Sequence, residues 1–511
     1  MLPYLQEVQS ASKKYSVVFR GINYGEGTQD GEFAETYNLS TDQYPCITQR
    51  AARIKTAEYT QPTTVHSKGK LLVIDGTDVY YGDTKVGTVT EGRKQTATIG
   101  NYIVIFPDKK YYKVPTENDK EGTFGSMEEE YKASGLSFKS SSISKEGANF
   151  PFREGDAVTI TGCTSGGNNK TAEIIIRSAT SDELTFDDNA FTEVTEEGEI
   201  TIKRTVPDLD FICESNYRLW GTHGNTIYSS KFSDPLNFQV FDNLASDSYA
   251  IEVGSEGEFT GCIPYSSHIC FFKENTLHKL YGSKPSNFQV TTVNVYGVQS
   301  GSERSMHIVN EQLLYKGVGG VYSYTGGVPE LISEKFGNER YSDAVACCDG
   351  EKYYISMKQG NVWSMFAYDV AKNIWLREDD THAVDMTFYD GKVYFVAEEG
   401  GLYYIDKTAD RSDIEWGATF CTIHETMNER KGYSKFHLRM DLSAGAWLAV
   451  DIKTDSDLQW RQVYTTHNEK AKTVSIPIMP TRCDSIDIRL RGKGKCTVKA
   501  FIREFSVGSD V

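Results

Sequence analysis

Asp349-Gly350-Glu351-Lys352-Tyr353-Tyr354-Ile355 decides the fold. An Asp-Gly turn runs straight into aromatic and β-branched residues, the mark of a tight hairpin opening a strand. The same pattern stands at Asp75-Gly76-Thr77-Asp78-Val79-Tyr80-Tyr81, Gly224-Asn225-Thr226-Ile227-Tyr228-Ser229, Glu274-Asn275-Thr276-Leu277-His278-Lys279-Leu280-Tyr281 and Asp390-Gly391-Lys392-Val393-Tyr394-Phe395-Val396. Recurrence at roughly 40 residues predicts a β-propeller of about seven blades, each a small antiparallel sheet. Such a fold is a scaffold, and its function lies in what is attached to it.

Working outward, the pattern starts near residue 63, stops near 116, resumes near 206 and runs to about 410. Residues 117–205 read as an insertion, with strands at Ala157–Thr161, Ala172–Arg177, Glu183–Phe186 and Glu199–Lys203. Strands this short and this few predict a small β-barrel. From 411 to 511 the alternation is strict, as in Lys435-Phe436-His437-Leu438-Arg439-Met440 and Ser485-Ile486-Asp487-Ile488-Arg489-Leu490, which predicts a two-sheet β-sandwich. Residues 1–62 hold one strand, Tyr15–Arg20, and otherwise read as an extended arm that needs something to pack on. The expected class is therefore all-β throughout.

Composition agrees. The 511 residues include 31 Tyr, 25 Phe and 44 Gly against 13 Pro, and no segment keeps a 3.6-residue apolar period beyond about two turns. No run of about 18 apolar residues predicts a membrane span. The start, Met1-Leu2-Pro3-Tyr4-Leu5-Gln6-Glu7, has neither a basic region nor an apolar stretch, so no leader is expected. The ten cysteines form no C-x-x-C pair and read as small buried hydrophobes.

The net charge of −17 is unevenly spread: residues 411–511 hold 16 Lys+Arg and 13 Asp+Glu, so the acidic excess lies in the rest. An acidic body argues against a sequence-specific nucleic-acid binder, which needs a basic face. Solubility explains the acidity; so does a surface past which DNA must slide without sticking.

The search for chemistry ends without a site. Gly492-Lys493-Gly494-Lys495 lacks the upstream glycine and the Ser/Thr of a phosphate loop, and Gly317-Val318-Gly319-Gly320 lacks a following helix. His424-Glu425 lacks the second His of a zinc-protease helix. Ser233-Asp234-Pro235-Leu236-Asn237-Phe238 is faintly similar to the Asp turn of sialidase propellers, although an Asx turn before proline explains it better. That chemistry also needs three gathered arginines and a nucleophilic Tyr; Arg204, Arg218, Arg304, Arg340 and Arg377 have no spacing that gathers them. The Tyr pairs 80–81, 111–112, 353–354 and 403–404 suggest either a sugar-binding surface or rings packed between blades, and the repeat favours packing. No catalytic, cofactor-binding or metal-binding residue is therefore expected, and no cofactor.

Three stretches together carry a family resemblance. They are Gly21-Ile22-Asn23 with Tyr37-Asn38-Leu39-Ser40, Tyr44-Pro45 and Arg50; Leu219-Trp220-Gly221 with Ser233–Phe238 and Phe271–Gly282; and Trp447, Leu448 and Trp460 with 476–484 and Arg489-Leu490-Arg491-Gly492-Lys493-Gly494. They resemble the tail-nozzle and packaged-DNA-stabilisation proteins of short-tailed bacteriophages and related phage structural proteins. The resemblance implies a non-enzymatic virion component of the tail, made in the bacterial host cytoplasm. Its partners would be identical subunits in a ring, typically six, a portal or adaptor and other tail proteins, and genomic DNA passing through without sequence specificity. Two alternatives stand beside it: a host-contacting, receptor-binding tail protein and a glycan-degrading propeller enzyme.

Overall fold

The computed structural model describes residues 11–117, 119–425, 429–455, 457–470, 472–479 and 482–507. The leader reading on residues 1–7, and Pro480 and Thr481 of the resemblance, lie outside them. The protein is all-β: among the described residues there are strands and four short 3-10 turns, and no α-helix. The chain divides into two compact units, Thr60–Glu303 and a second formed by Met1–Tyr59 with Arg304–Val511.

The unit Thr60–Glu303 contains four four-stranded antiparallel meanders, each with its strands in chain order, spanning 62–88, 95–126, 211–252 and 259–294. The hydrophobic cores lie between successive meanders. Leu72, Ile74 and Val79 of the first pack with Ile103, Ile105 and Tyr112 of the second. Val104 and Phe106, on the opposite face of the same strand, pack with Leu219 of the third. Trp220 and Ile227 then pack with Phe271 and Leu280 of the fourth. Burial on both faces explains why Tyr102–Phe106 is a continuous apolar run rather than an alternating one. The fourth strand of the second meander is Thr123–Ser126, so the insertion begins after it and not at 117. Thr123-Phe124-Gly125-Ser126 has one apolar side chain, too weak a local signal to be read as a strand.

The insertion has nine strands between Glu129 and Arg204, in a four-stranded and a five-stranded sheet. Neither sheet closes on itself, so the expected small barrel is here a pair of open sheets. They share a core of their own, in which Leu136, Phe138, Ile143, Val158, Ile160 and Ile202 are each at most 2% exposed.

The second unit contains three more meanders. Two span 307–331 and 342–379; the third joins Ala383–Tyr389, Lys392–Ala397 and Gly401–Asp406 to the N-terminal strand Ala52–Glu58. Asp390 and Gly391 both have positive φ, 47° and 73°, as a two-residue hairpin whose twist matches its strands requires. The Tyr353-Tyr354 pair divides between two cores, Tyr353 toward the 307–331 meander and Tyr354 toward Phe395 and Val393 of the next.

Two larger sheets complete this unit. One runs Leu39–Ser40, Ile47–Gln49, Cys496–Val507, Lys431–Leu442, Thr473–Pro477, with Ser12–Ser16 and Arg482–Cys483 as side partners. The other runs Gly21–Ile22, Glu32–Tyr37, Glu415–Phe420, Ile486–Lys493, Trp447–Thr454, Arg461–Thr466. They bury one core, in which Phe19, Phe33, Leu39 and Ile47 sit with Phe436, Leu448, Ile488 and Phe501. The expected arm 1–62 is thus corrected: its described part is woven into its own chain. Its strands are two to seven residues long, and Ser12–Ser16, Glu32–Tyr37, Ile47–Gln49 and Ala52–Glu58 pair with partners hundreds of residues away, so no local pattern announces them.

Burial also sets an acid limit. His278 is 1% exposed, with Nε2 on Ser255 Oγ at 2.8 Å and Nδ1 on Thr292 Oγ1 at 2.9 Å. Burial first, and Lys273 second, push its pKa from 6.5 to about 4. Between those values the unfolded chain takes up a proton that the folded chain refuses, so stability falls as pH drops through that window and is complete above it. The ceiling for one such group is about 3 kcal/mol. Stability measured by urea unfolding from pH 7 to 4 should decline, and His278→Gln should flatten part of that decline; an unchanged slope would contradict this role.

Candidate functional site

The second unit carries an open cleft of about 1010 Å³. It is built where the Asn23–Thr28 turn, the 342–379 meander and the segment after Glu415–Phe420 come together. The turn is rigidly held. Asn23 N donates to Phe33 O at 2.8 Å and Tyr24 N to Lys335 O at 2.7 Å. Beneath it Glu32, 2% exposed, accepts from Asn23 Nδ2 and Gln29 N, both at 2.7 Å, and from Lys335 Nζ at 2.9 Å. Burial alone would raise the Glu32 pKa, but these donors outweigh it and hold the carboxyl below its usual range.

Arg377, on Ile374–Asp379, projects into the cleft. Its Nε donates to Ser364 Oγ at 3.1 Å, its Nη2 pairs with Asp380, and its backbone is pinned by Thr36 Oγ1 at 2.9 Å. Tyr24 and Tyr341 flank Phe336, with ring centroids 6.0 and 5.7 Å from it. Glu339 accepts from Gln359 Nε2 at one side. Burial first, then the neighbouring Tyr341, raises the Tyr24 phenol; burial first, then Glu339, pushes Tyr341 up to about 12. Cys421 is pushed up to about 11 by burial and by Glu32, and its Sγ donates to Asn23 O at 3.5 Å. Both phenols and the thiol therefore stay protonated at neutral pH. They serve as hydrogen-bond donors and are poor nucleophiles. Among the described residues no group of three or more His, Cys, Asp or Glu is placed to hold a metal.

The motifs singled out in the sequence have structural places. In the unit Thr60–Glu303, Ser233–Phe238 latches the insertion. Asp234 pairs with Arg153 at 2.6 Å, and Asn237 Nδ2 donates to Asp156 Oδ1 at 2.9 Å. Asp156, fully buried, also accepts from Arg204 Nη1 at 2.5 Å. Arg218, 1% exposed, donates to the carbonyls of Ser230, Ala245 and Asp247, which shapes the long 230–248 loop. In the other unit Arg304 pairs with Asp385 at 3.1 Å, Arg340 bonds the carbonyls of Gly337 and Glu339, and of the three arginines there Arg377 lines the cleft. His424 lies 3.6 Å from Asp484, and Glu425 is committed to Arg503 at 2.6 Å. Gly492–Lys493 ends one strand and Cys496 begins the next, with Gly494 at φ +78°, a hairpin turn. Gly317 and Gly320 face each other across another hairpin. The cleft itself has no sequence signal, because Tyr24, Glu339, Arg377 and Thr419 come from four distant segments.

The fold and this cleft define an all-β protein of repeated small antiparallel sheets with a polar groove. No family model matches the chain, and no curated protein matches it. Solved structures show distant likeness. BamB from Moraxella catarrhalis is 9% identical at TM-score 0.33, over 71% of this chain and 98% of that one. The extracellular domain of the putative hybrid two component system BT4673 from B. thetaiotaomicron is 10% identical at TM-score 0.36, over 89% of this chain and 60% of that one. The phage phi92 endosialidase is 11% identical at TM-score 0.25, over 78% and 70%. At these scores the likenesses carry no argument about function.

Proposed function

We propose that this chain is a non-enzymatic structural protein of a bacteriophage virion, a subunit of the tail-nozzle or head-tail stabilisation ring that forms or closes the DNA exit channel. In this reading the seven four-stranded meanders are the blades of one propeller, the insertion is an appended module, and the two large sheets are a β-sandwich. Its partners are identical subunits, typically six, a portal or adaptor, and DNA passing without sequence specificity. The observation that carries the reading is the use made of the resembling stretches. Gly21–Ile22 joins the sheet that holds Trp447–Thr454 and Ile486–Lys493, Leu39–Ser40 joins the sheet that holds Thr473–Pro477 and Arg482–Cys483, and Ser233–Phe238 latches the insertion. These stretches brace a scaffold, as a particle under mechanical load requires. The acidic excess outside 411–511 suits walls that repel phosphates.

Image reconstruction of virions bearing this chain should resolve it as a closed ring on the tail axis. Monomers or trimers at fibre tips would instead support a host-contacting tail protein. That second reading is favoured by the cleft, which a purely mechanical ring does not need.

A further inference from the structure

We propose that the cleft lined by Tyr24, Glu35, Glu339, Tyr341, Gln359 and Arg377 binds an oligosaccharide free of acidic groups. The inference goes beyond the ring reading and stands whether or not a ring forms. Its size comes first: about 1010 Å³ is at the upper end of pockets that hold small ligands, room for several linked sugar rings. Its chemistry comes second. The lining carries both donors and acceptors: phenolic hydroxyls on Tyr24 and Tyr341, carboxylates on Glu35 and Glu339, an amide on Gln359 and a guanidinium on Arg377. A polyhydroxylated ligand presents both roles at every hydroxyl and matches such a surface, whereas a helical peptide needs an apolar groove. Among the described lining residues, Val362 is the one large aliphatic side chain.

Charge comes third. Glu26, Glu35 and Glu339 line the cleft together with Arg377 and His424, and the Arg377 guanidinium already holds Asp380 through Nη2. An anionic ligand, whether a sialylated glycan, a phosphate or a nucleic acid, would meet net negative charge with its best counter-ion engaged. Rigidity comes fourth. Tyr341 packs edge-on against Phe336 and Phe366, and Asn23 and Tyr24 are tied by backbone bonds to Phe33 and Lys335, so little ordering remains to be done on binding.

The test uses the full chain and calorimetric titration with four trisaccharides: N,N′,N″-triacetylchitotriose, maltotriose, glucosamine trimer and sialyllactose. At least one of the first three should bind, and sialyllactose should bind more weakly than that one. Tyr341→Phe, which keeps the ring and removes the hydroxyl, should weaken binding about fivefold, and Glu339→Ala about tenfold or more. Glu339 is exposed, so its replacement leaves folding intact even if the Tyr341 variant melts early. Failure of all the acid-free sugars to bind, tighter binding of sialyllactose, or binding unchanged by Glu339→Ala would each overturn the proposal.

Discussion

A chain shortened to begin at Ala51 should lose the cooperative unfolding of its two large sheets. The cut removes Phe19, Phe33, Leu39 and Ile47, all 2% exposed or less, from the core they share with Phe436 and Phe501. Emptying one such site costs about 2–5 kcal/mol, and four together approach or exceed the roughly 5–15 kcal/mol that holds a domain folded. It also strips Arg503, 1% exposed, of Ser16 at 2.6 Å and Asp30 at 2.8 Å, leaving Glu425 as its partner. Hydrogen exchange over 431–507 should rise to near-unfolded rates, while residues 60–303 keep their protection. Full protection of 431–507 in the shortened chain would mean that the N-terminal strands are a peripheral arm after all.

Asp156→Ala should be the most destabilising single change in the unit Thr60–Glu303, by about 3–5 kcal/mol. Asp156 accepts from Arg204 Nη1 at 2.5 Å, Arg153 N at 3.1 Å and Asn237 Nδ2 at 2.9 Å. Removing it strands the guanidinium of Arg204, 5% exposed, with the carbonyl of Met127 as its remaining partner. The insertion keeps its own core, so the damage should read out as looser attachment at Ser233–Phe238 and earlier proteolysis at the module's boundaries. The double change Asp156→Leu with Arg204→Met should recover part of the loss, because no unpaired charge is then buried. A single variant within 1 kcal/mol of the parent would show that the pair is not the anchor.

What the sequence revealed and hid follows from the range of each interaction. Asp349–Ile355 and Asp390–Val396 announce their hairpins because turn and strand are neighbours in the chain, and both stand where expected. The Ser233–Phe238 turn was legible as a turn, but its partners Arg153 and Asp156 lie about 80 positions away and leave no mark on it. Gly21–Ile22 and Leu39–Ser40 are two-residue strands, below the length at which alternation has meaning. The cleft was invisible for the same reason: Tyr24 and Tyr341 look like any other packing tyrosines until the fold sets them around Phe336. Thr123–Ser126 was lost through composition, not distance, since its one ring gives no alternation to read.

The pairing of Ile47 with Val498 dictates an order of events during synthesis. Gln49 Oε1 accepts from Cys496 N, a bond across 447 positions. A ribosome adds about 5–20 residues per second, so the first strands wait tens of seconds or more for their partners to emerge. Thr60–Glu303 is continuous in the chain and has its own cores, so it can fold while that wait continues. Through that interval Phe19 and Phe33 have no sheet to enter, which makes the nascent N-terminal segment the natural target of chaperones and of premature aggregation.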